Sequence, residues 1–151
     1  MMNIKTDSRR VKKGDIFVAL RGVVGDGHNY INAAINNGAK KVIVEEDGDY
    51  GVETMVVKST RAYLNAYLES NYGHILKQMT IIGITGTNGK TTTAYLIYEA
   101  LNKLNIKCAY IGTIGYYLDK FVSPLDNTNP DICLMYEMII NAHEHGFDYV
   151  V

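Results

Sequence analysis

The chain has 151 residues, of which 47% are hydrophobic and 21% are charged, a composition typical of a globular protein with enough apolar material for a core. Its formal net charge of −1 gives no electrostatic reason to expect binding to nucleic acid or to an anionic membrane surface. No apolar run reaches the roughly 20 residues that a membrane-spanning helix needs, so we expect a cytoplasmic protein.

The first half of the chain alternates apolar, β-branched runs with helical patterns. The runs predict strands at 16–20, 41–45 and 54–58. Helices are predicted at 28–37, with Gly38 as the stop signal, and from a Ser59 cap to Tyr72, with Gly73 as the stop signal. This alternation is typical of α/β domains.

The alternation restarts after a polar bridge at 74–78, so we predict two domains, 1–78 and 79–151. The second has predicted strands at 80–85 and 107–112, predicted helices at 90–104 and 131–145, and a small ribbon within 113–124. The last residues, FDYVV, have the pattern of a buried strand with no turn or polar tail after it. Because ordered termini normally reach the surface, we expect the chain to be the first part of a longer protein.

Cysteine and histidine residues give no sign of a metal or redox site. Cys108 and Cys133 are far apart and lack a close-paired motif, so we expect both to be core thiols. His28 stands where a helix begins, and we expect a capping or packing role for it.

The segment IIGITGTNGKTTT, residues 81–93, is the most informative stretch of the sequence. An apolar strand, a glycine-rich turn and Lys-Thr at the start of a helix together direct backbone N–H groups at one point, which favours a bound anion. The standard phosphate-loop pattern separates its two glycines by four residues, which would place the first at Ile84, whereas here Gly86 stands two positions later. A tight turn used only for packing is the alternative, and the full TGTNGKTT motif favours ATP.

Within this loop the sequence identifies seven candidate nucleotide-binding residues. Lys90 is placed to reach the β- and γ-phosphates and is the candidate catalytic residue, and the Thr91 hydroxyl is a candidate ligand for Mg²⁺. The candidates are Gly86, Thr87, Asn88, Gly89, Lys90, Thr91 and Thr92.

The loop resembles the ATP-binding loop of the Mur ligases and their folylpolyglutamate synthetase relatives, which use this shortened glycine spacing. Other motifs follow in the order of that family: Asp7-Ser8-Arg9, GDIFVALRG, DGHNYI, the IGT that ends at Thr113, and NTNPD. The resemblance implies a small UDP-binding α/β domain, followed by the first part of a P-loop, Rossmann-like ATPase domain.

The resemblance also implies the reaction and its partners. It indicates a ligase that uses ATP and Mg²⁺ to add the third amino acid, diaminopimelate or lysine, to UDP-N-acetylmuramoyl-L-alanyl-D-glutamate through an acyl phosphate. Lys90 would stabilise the transferring phosphoryl group. Relatives have further catalytic residues beyond the segment that resembles this chain, so we expect the chain to be inactive alone. The resemblance also implies a monomer.

Substrate-contacting residues are implied in three places. Ser8 matches a serine that contacts the uridine moiety, and Val23, Val24 and Gly25 match a loop near the diphosphate. Asn127, Thr128 and Asn129 match a substrate-binding Asn-Thr-Thr, with Asn129 departing from the family's second threonine. Each has a structural alternative: Asp7-Ser8-Arg9 can be a capped surface turn, and 127–129 can be the turn before Pro130.

Two other functions remain open at this point. One is a different Mur-type ligase, or a polyglutamate- or cyanophycin-type ligase, against which the Asp-Ser-Arg and GDIFVALRG motifs argue. The other is a nucleotide-binding module without catalytic activity.

Overall fold

The computed structural model of the chain describes residues 2–22, 25–125 and 130–151. The chain divides into two compact units, Met1–Asn71 and Tyr72–Val151. The predicted domain boundary at residue 78, with its functional assignment, stays a prediction.

The first unit is built on a parallel sheet. Within the described residues its strands are β1 (Ile4–Lys5), β2 (Ile16–Val18), β3 (Lys41–Val44) and β4 (Glu53–Val56), which lie side by side in chain order. The helices are α1 (Ile31–Asn36), preceded by a 3-10 turn at Gly27–Tyr30, and α2 (Thr60–Leu76).

Successive residues of the inner strands are buried, which indicates a sheet covered on both faces. Phe17 and Val42 pack in one cluster with Ile31 and Ala34 of α1. Leu64 and Leu68 of α2 are also fully buried.

The second unit contains a mixed sheet. Its described strands are β5 (Thr80–Ile81), β6 (Cys108–Gly112), β7 (Gly115–Tyr117), β8 (Phe121–Ser123) and β9 (Tyr149–Val150). Their order is β5-β9-β6-β7-β8; the first three are parallel, and β7 and β8 are added as antiparallel hairpins. The helices are α3 (Lys90–Lys103) and α4 (Ile132–Glu144).

Strand β6 lies in the core of this unit, and its residues alternate between two clusters. Ala109 packs with Ile139 and Ala142 of α4, whereas Cys108 and Tyr110 pack with Tyr98 of α3. The rings of Tyr98 and Tyr110 lie 6.1 Å apart in an edge-to-face arrangement, a favourable geometry for aromatic pairs.

Both cysteines are buried and free, as the sequence predicted. Burial raises the pKa of Cys108 to about 11, so this thiol is held in its unreactive protonated form at neutral pH.

Several predicted boundaries differ from the structure by a few residues; for example, the helix predicted at 28–37 begins as the 3-10 turn and is α-helical only over Ile31–Asn36. The two largest differences are at the end of α2 and in the strand predicted at 80–85. Helix α2 does not end at Gly73 but continues to Leu76. Leu76 belongs to the second unit and packs against the core of that unit. The strand predicted at 80–85 is confined to Thr80–Ile81. The N–H of Ile82 still donates a hydrogen bond of 2.8 Å to the carbonyl of Val150, and the glycine-rich loop follows. Within the described ranges, no helix has both the length and the apolar character needed to cross a bilayer.

Candidate functional site

The loop between β5 and α3 has a backbone that only glycine adopts readily. Gly86 has a φ of +150° and Gly89 a φ of +77°, values in the region where a side chain is disfavoured. An added Cβ would meet no atom closer than 3.6 Å at Gly86 and 4.0 Å at Gly89. These glycines are therefore required by the shape of the loop, and the space beside them is open.

Lys90 closes the loop from the first position of α3. Its Nζ donates a hydrogen bond of 2.7 Å to the carbonyl oxygen of Gly86. The first hydrogen bond of the helix runs from the N–H of Thr93 to Gly89, and helix geometry leaves the preceding N–H groups without intrahelical acceptors. A cation and several N–H donors thus lie at one end of the helix, as an anion site requires.

A cavity of about 400 Å³ lies beside the loop, within the size range of small-molecule sites. Lys90 and Thr91 provide polar groups in its wall, and α4 and the end of β9 provide apolar ones. The lining also includes Ile84, Thr85, Gly86, Ala94, Tyr110, Thr113, Met135, Ile139, Val150 and Val151.

Two threonine hydroxyls meet at this cavity. Thr91 Oγ1 in α3 and Thr113 Oγ1 are joined by a hydrogen bond of 3.1 Å. Thr113 lies in the turn between β6 and β7. The IGT motif contains Thr113, yet sequence analysis gave this threonine no role. Its position directly after a buried strand was the signal that could have identified it.

The residues at the loop fit Mg²⁺ held chiefly by phosphate oxygens. Mg²⁺ prefers oxygen ligands and usually combines one or two protein groups with phosphates and waters, and the Thr91 hydroxyl would be one such protein group. No group of three or more His, Cys, Asp or Glu side chains that could hold a metal occurs among the described residues.

The Asp-Ser-Arg motif of the first unit forms a capped 3-10 turn at Ser8–Arg10. The Asp7 carboxylate accepts the Arg9 N–H at 2.9 Å and also contacts the Arg9 guanidinium, whose hydrogen bond lowers the pKa of Asp7. Ser8 is buried, and its carbonyl accepts a hydrogen bond of 2.9 Å from Asn37 Nδ2. Asp7 therefore caps a turn, which was the structural alternative for this motif. A substrate role for Ser8 stays a prediction.

Of the loop predicted near the diphosphate, Gly25 lies within the described residues. It is exposed and accepts a hydrogen bond of 2.8 Å from the N–H of Gly22. The other predicted substrate residues lie outside the described residues: Val23, Val24, Asn127, Thr128 and Asn129.

His28 joins that loop to the end of β3. Its Nε2 accepts a hydrogen bond of 3.0 Å from the N–H of Glu45, so the ring proton lies on Nδ1, which is 2.6 Å from Asp26 Oδ1. Asp26 also accepts the backbone N–H of His28, and this bond is the main reason for the lowered pKa of Asp26. Of the predicted capping or packing role, the contacts fit packing, because the cap of the 3-10 turn is provided by Asp26.

Glu45 extends this network to α2. Its Oε1 accepts hydrogen bonds of 2.8 Å from both the N–H and the hydroxyl of Thr60, which lower the pKa of Glu45. Arg21 forms ion pairs with Asp26, Glu45 and Glu46. The network lies at the carboxyl ends of β2 and β3.

The chain matches two family models. Residues 1–75 match the model described as Mur ligase family, catalytic domain, and residues 84–151 match the Mur ligase middle domain. The chain belongs to the Mur ligase family. The shortened glycine spacing is therefore a feature of a Mur ligase loop.

Similar proteins include the UDP-N-acetylmuramoyl-L-alanyl-D-glutamate–2,6-diaminopimelate ligase of Parabacteroides distasonis, with 38% identity over 150 residues, covering 97% of this chain and 31% of the relative. A solved structure of a ligase of the same name has a TM-score of 0.71 and 29% identity, and the match covers 99% of this chain and 31% of that one. The MurF ligase of Thermotoga maritima in complex with ADP has a TM-score of 0.58 and 30% identity, covering 76% and 26% of the two chains. This Mur ligase chain thus spans about a third of the length of the curated relatives it matches.

Proposed function

We propose that the chain provides the UDP-substrate and ATP-binding parts of a ligase that adds diaminopimelate to UDP-N-acetylmuramoyl-L-alanyl-D-glutamate. The observation that carries the proposal is the Gly86–Thr92 loop, whose glycine conformations, lysine and helix N-terminus meet at an open cavity. The diaminopimelate ligases named above resemble the chain over nearly its whole length.

In the proposed reaction the γ-phosphoryl group of ATP moves to the substrate carboxylate, which yields ADP and an acyl phosphate. The amine of diaminopimelate then attacks the acyl carbon, an amide forms, and inorganic phosphate leaves. The chemistry needs negative charge stabilised on the transferring group, and Lys90 and the first N–H groups of α3 are placed for that role. Mg²⁺, held by the phosphates and by Thr91, would neutralise further phosphate charge.

Lys90 changes partners in this scheme. Its Nζ is bound to the Gly86 carbonyl, and a phosphate oxygen would replace that neutral acceptor. Both bonds are charge-assisted because lysine is a cation, but a phosphate oxygen adds an opposite charge that the carbonyl lacks, so the exchange favours the nucleotide-bound loop.

The substrate and assembly assignments belong to the same proposal. Ser8 and Gly25, with Val23, Val24 and 127–129, would contact the UDP-linked dipeptide, and the enzyme would act as a monomer. The cluster around His28 would hold the loop that includes Gly25 against the end of β3.

The experiment has two parts. Isothermal calorimetry tests whether the 151-residue chain binds ATP. The second part uses a chimera in which this chain replaces the matching 31% of the Parabacteroides distasonis relative. The chimera is assayed with ATP, the UDP-linked dipeptide and diaminopimelate. In two further assays, lysine replaces diaminopimelate, or a folate replaces the UDP-linked dipeptide.

We expect ADP and tripeptide release only with the UDP substrate, and faster release with diaminopimelate than with lysine. A folded chimera that binds ATP but releases neither product contradicts the ligase proposal and favours a binding module. Product release with the folate contradicts the assigned substrate class.

A further inference from the structure

We infer that Thr113 is a positioning residue that orients the Thr91 hydroxyl toward the cation accompanying ATP. The inference rests on the proposed function, since it concerns the same nucleotide site. Its basis is the direct hydrogen bond of 3.1 Å between Thr91 Oγ1 and Thr113 Oγ1 at the wall of the cavity.

The backbone around Thr113 is held from two sides. Thr113 and Ile114 form the turn between β6 and β7, whose flanking residues Gly112 and Gly115 are paired. On the β6 side, the N–H of Ile111, the residue before Gly112, donates a hydrogen bond of 2.9 Å to the carbonyl of Val151. A two-residue turn in a paired hairpin allows little backbone movement, so the Thr113 hydroxyl has a defined position relative to α3.

Thr91 would be the donor of this hydrogen bond when a cation is bound, because the direction of the bond determines what Thr91 can offer to a ligand. A hydroxyl has one proton and two lone pairs. When Thr91 donates its proton to Thr113, both lone pairs of Thr91 remain for a cation. Without that acceptor the proton can rotate toward the cation, where it would oppose binding. Thr113 therefore acts through Thr91.

The test compares ATP binding to the 151-residue chain with Mg²⁺ and with EDTA by calorimetry. Thr113→Val removes the acceptor and keeps the branched shape, and Thr113→Ser restores a hydroxyl. We expect Thr113→Val to reduce the enhancement of ATP affinity by Mg²⁺ by about three- to tenfold, the range for one lost hydrogen bond. Affinity in EDTA should be unchanged, and Thr113→Ser should behave like the parent chain.

A double-mutant cycle with Thr91→Val separates positioning from a general effect on the fold. Once Thr91 lacks its hydroxyl, Thr113→Val should have no further effect on the Mg²⁺ enhancement. Circular dichroism verifies folding of each variant. Four results would each overturn the inference. The Mg²⁺ enhancement could be unchanged in Thr113→Val, or ATP affinity could fall equally with and without Mg²⁺. Thr113→Ser could lose as much of the enhancement as Thr113→Val, or the effects of Thr113→Val and Thr91→Val could be additive. A parent chain that does not bind ATP would overturn the proposed function as well.

Discussion

At the scale of single residues, Lys90 provides the positive charge of the proposed phosphate site. Replacing it with alanine should raise the Kd for ATP at least about thirtyfold, because removing one partner of a desolvated charge pair costs about 2–5 kcal/mol. Calorimetry measures the change. Lys103→Ala is the matched control, since it removes the same charge from the exposed end of α3. Equal ATP affinity of the Lys90 and Lys103 variants would contradict the assignment of Lys90 to the phosphate site.

Gly89 allows a second residue-scale prediction, which separates backbone strain from ligand binding. Gly89 and Gly51 have φ values of +77° and +72°, and neither has an atom closer than 4.0 Å to an added Cβ. Alanine at either position should destabilise the fold by about 1–2 kcal/mol through left-handed strain, measured by thermal unfolding.

Only Gly89→Ala should also weaken ATP binding. Alanine at this position favours a different conformation of the phosphate loop, and that conformation would no longer direct its N–H groups at the phosphates. Unchanged ATP affinity in Gly89→Ala, or an equal loss in Gly51→Ala, would show that the loop conformation does not matter for binding.

At the scale of elements, helix α4 forms part of the cavity wall and is held at its start by Asp131. The Asp131 carboxylate accepts hydrogen bonds of 3.0 Å and 3.2 Å from the N–H groups of Cys133 and Leu134. Asp131→Ala should lower stability by about 1 kcal/mol, a typical loss for an N-cap, whereas Asp131→Asn keeps an acceptor and should lose less. Thermal unfolding distinguishes them, and equal losses in both variants would show that the cap hydrogen bonds are not responsible.

The sequence predicted the α/β class and most elements, because apolar periodicity and glycine or N-cap signals are local. It did not predict β1, since Ile4–Lys5 is only two residues long and becomes a strand by pairing with β2. It also misplaced the end of α2, because the stop signal at Gly73 is weaker than the packing of Leu76 against distant residues.

The site shows the same limit. Gly86, Gly89 and Lys90 were predicted as phosphate-loop residues because such a loop requires particular residue types at closely spaced positions. The contact between Thr91 and Thr113 joins positions 22 residues apart, and the apolar cavity wall formed by Met135 and Ile139 depends on how α4 packs. Neither follows from local pattern alone.

At the scale of the whole molecule, each unit places polar loops after the carboxyl ends of parallel strands, the edge where open α/β sheets bind ligands. In the first unit this edge has the network of Arg21, Asp26, His28, Glu45 and Glu46. The carboxylates there are stabilised in their charged form by N–H and hydroxyl donors.

These carboxylates make stability depend on pH. The pKa of Glu45 is lowered by the two hydrogen bonds from Thr60, and that of Asp26 by the N–H of His28. Because each pKa is lower in the folded chain than in the unfolded one, the contribution is fully present above the unfolded value, near 4. It is lost as the pH falls through the folded value.

Glu45→Gln isolates this effect, since it keeps an oxygen acceptor for Thr60 and leaves Asp26, His28 and Arg21 in place. We expect the variant to unfold at a lower temperature than the parent chain at pH 7, and the difference to shrink as the pH falls from neutral through the lowered pKa of folded Glu45. Circular dichroism melts across this range measure it. A difference that stays constant with pH would mean that the Glu45 charge contributes nothing, and that Thr60 needs only a neutral acceptor.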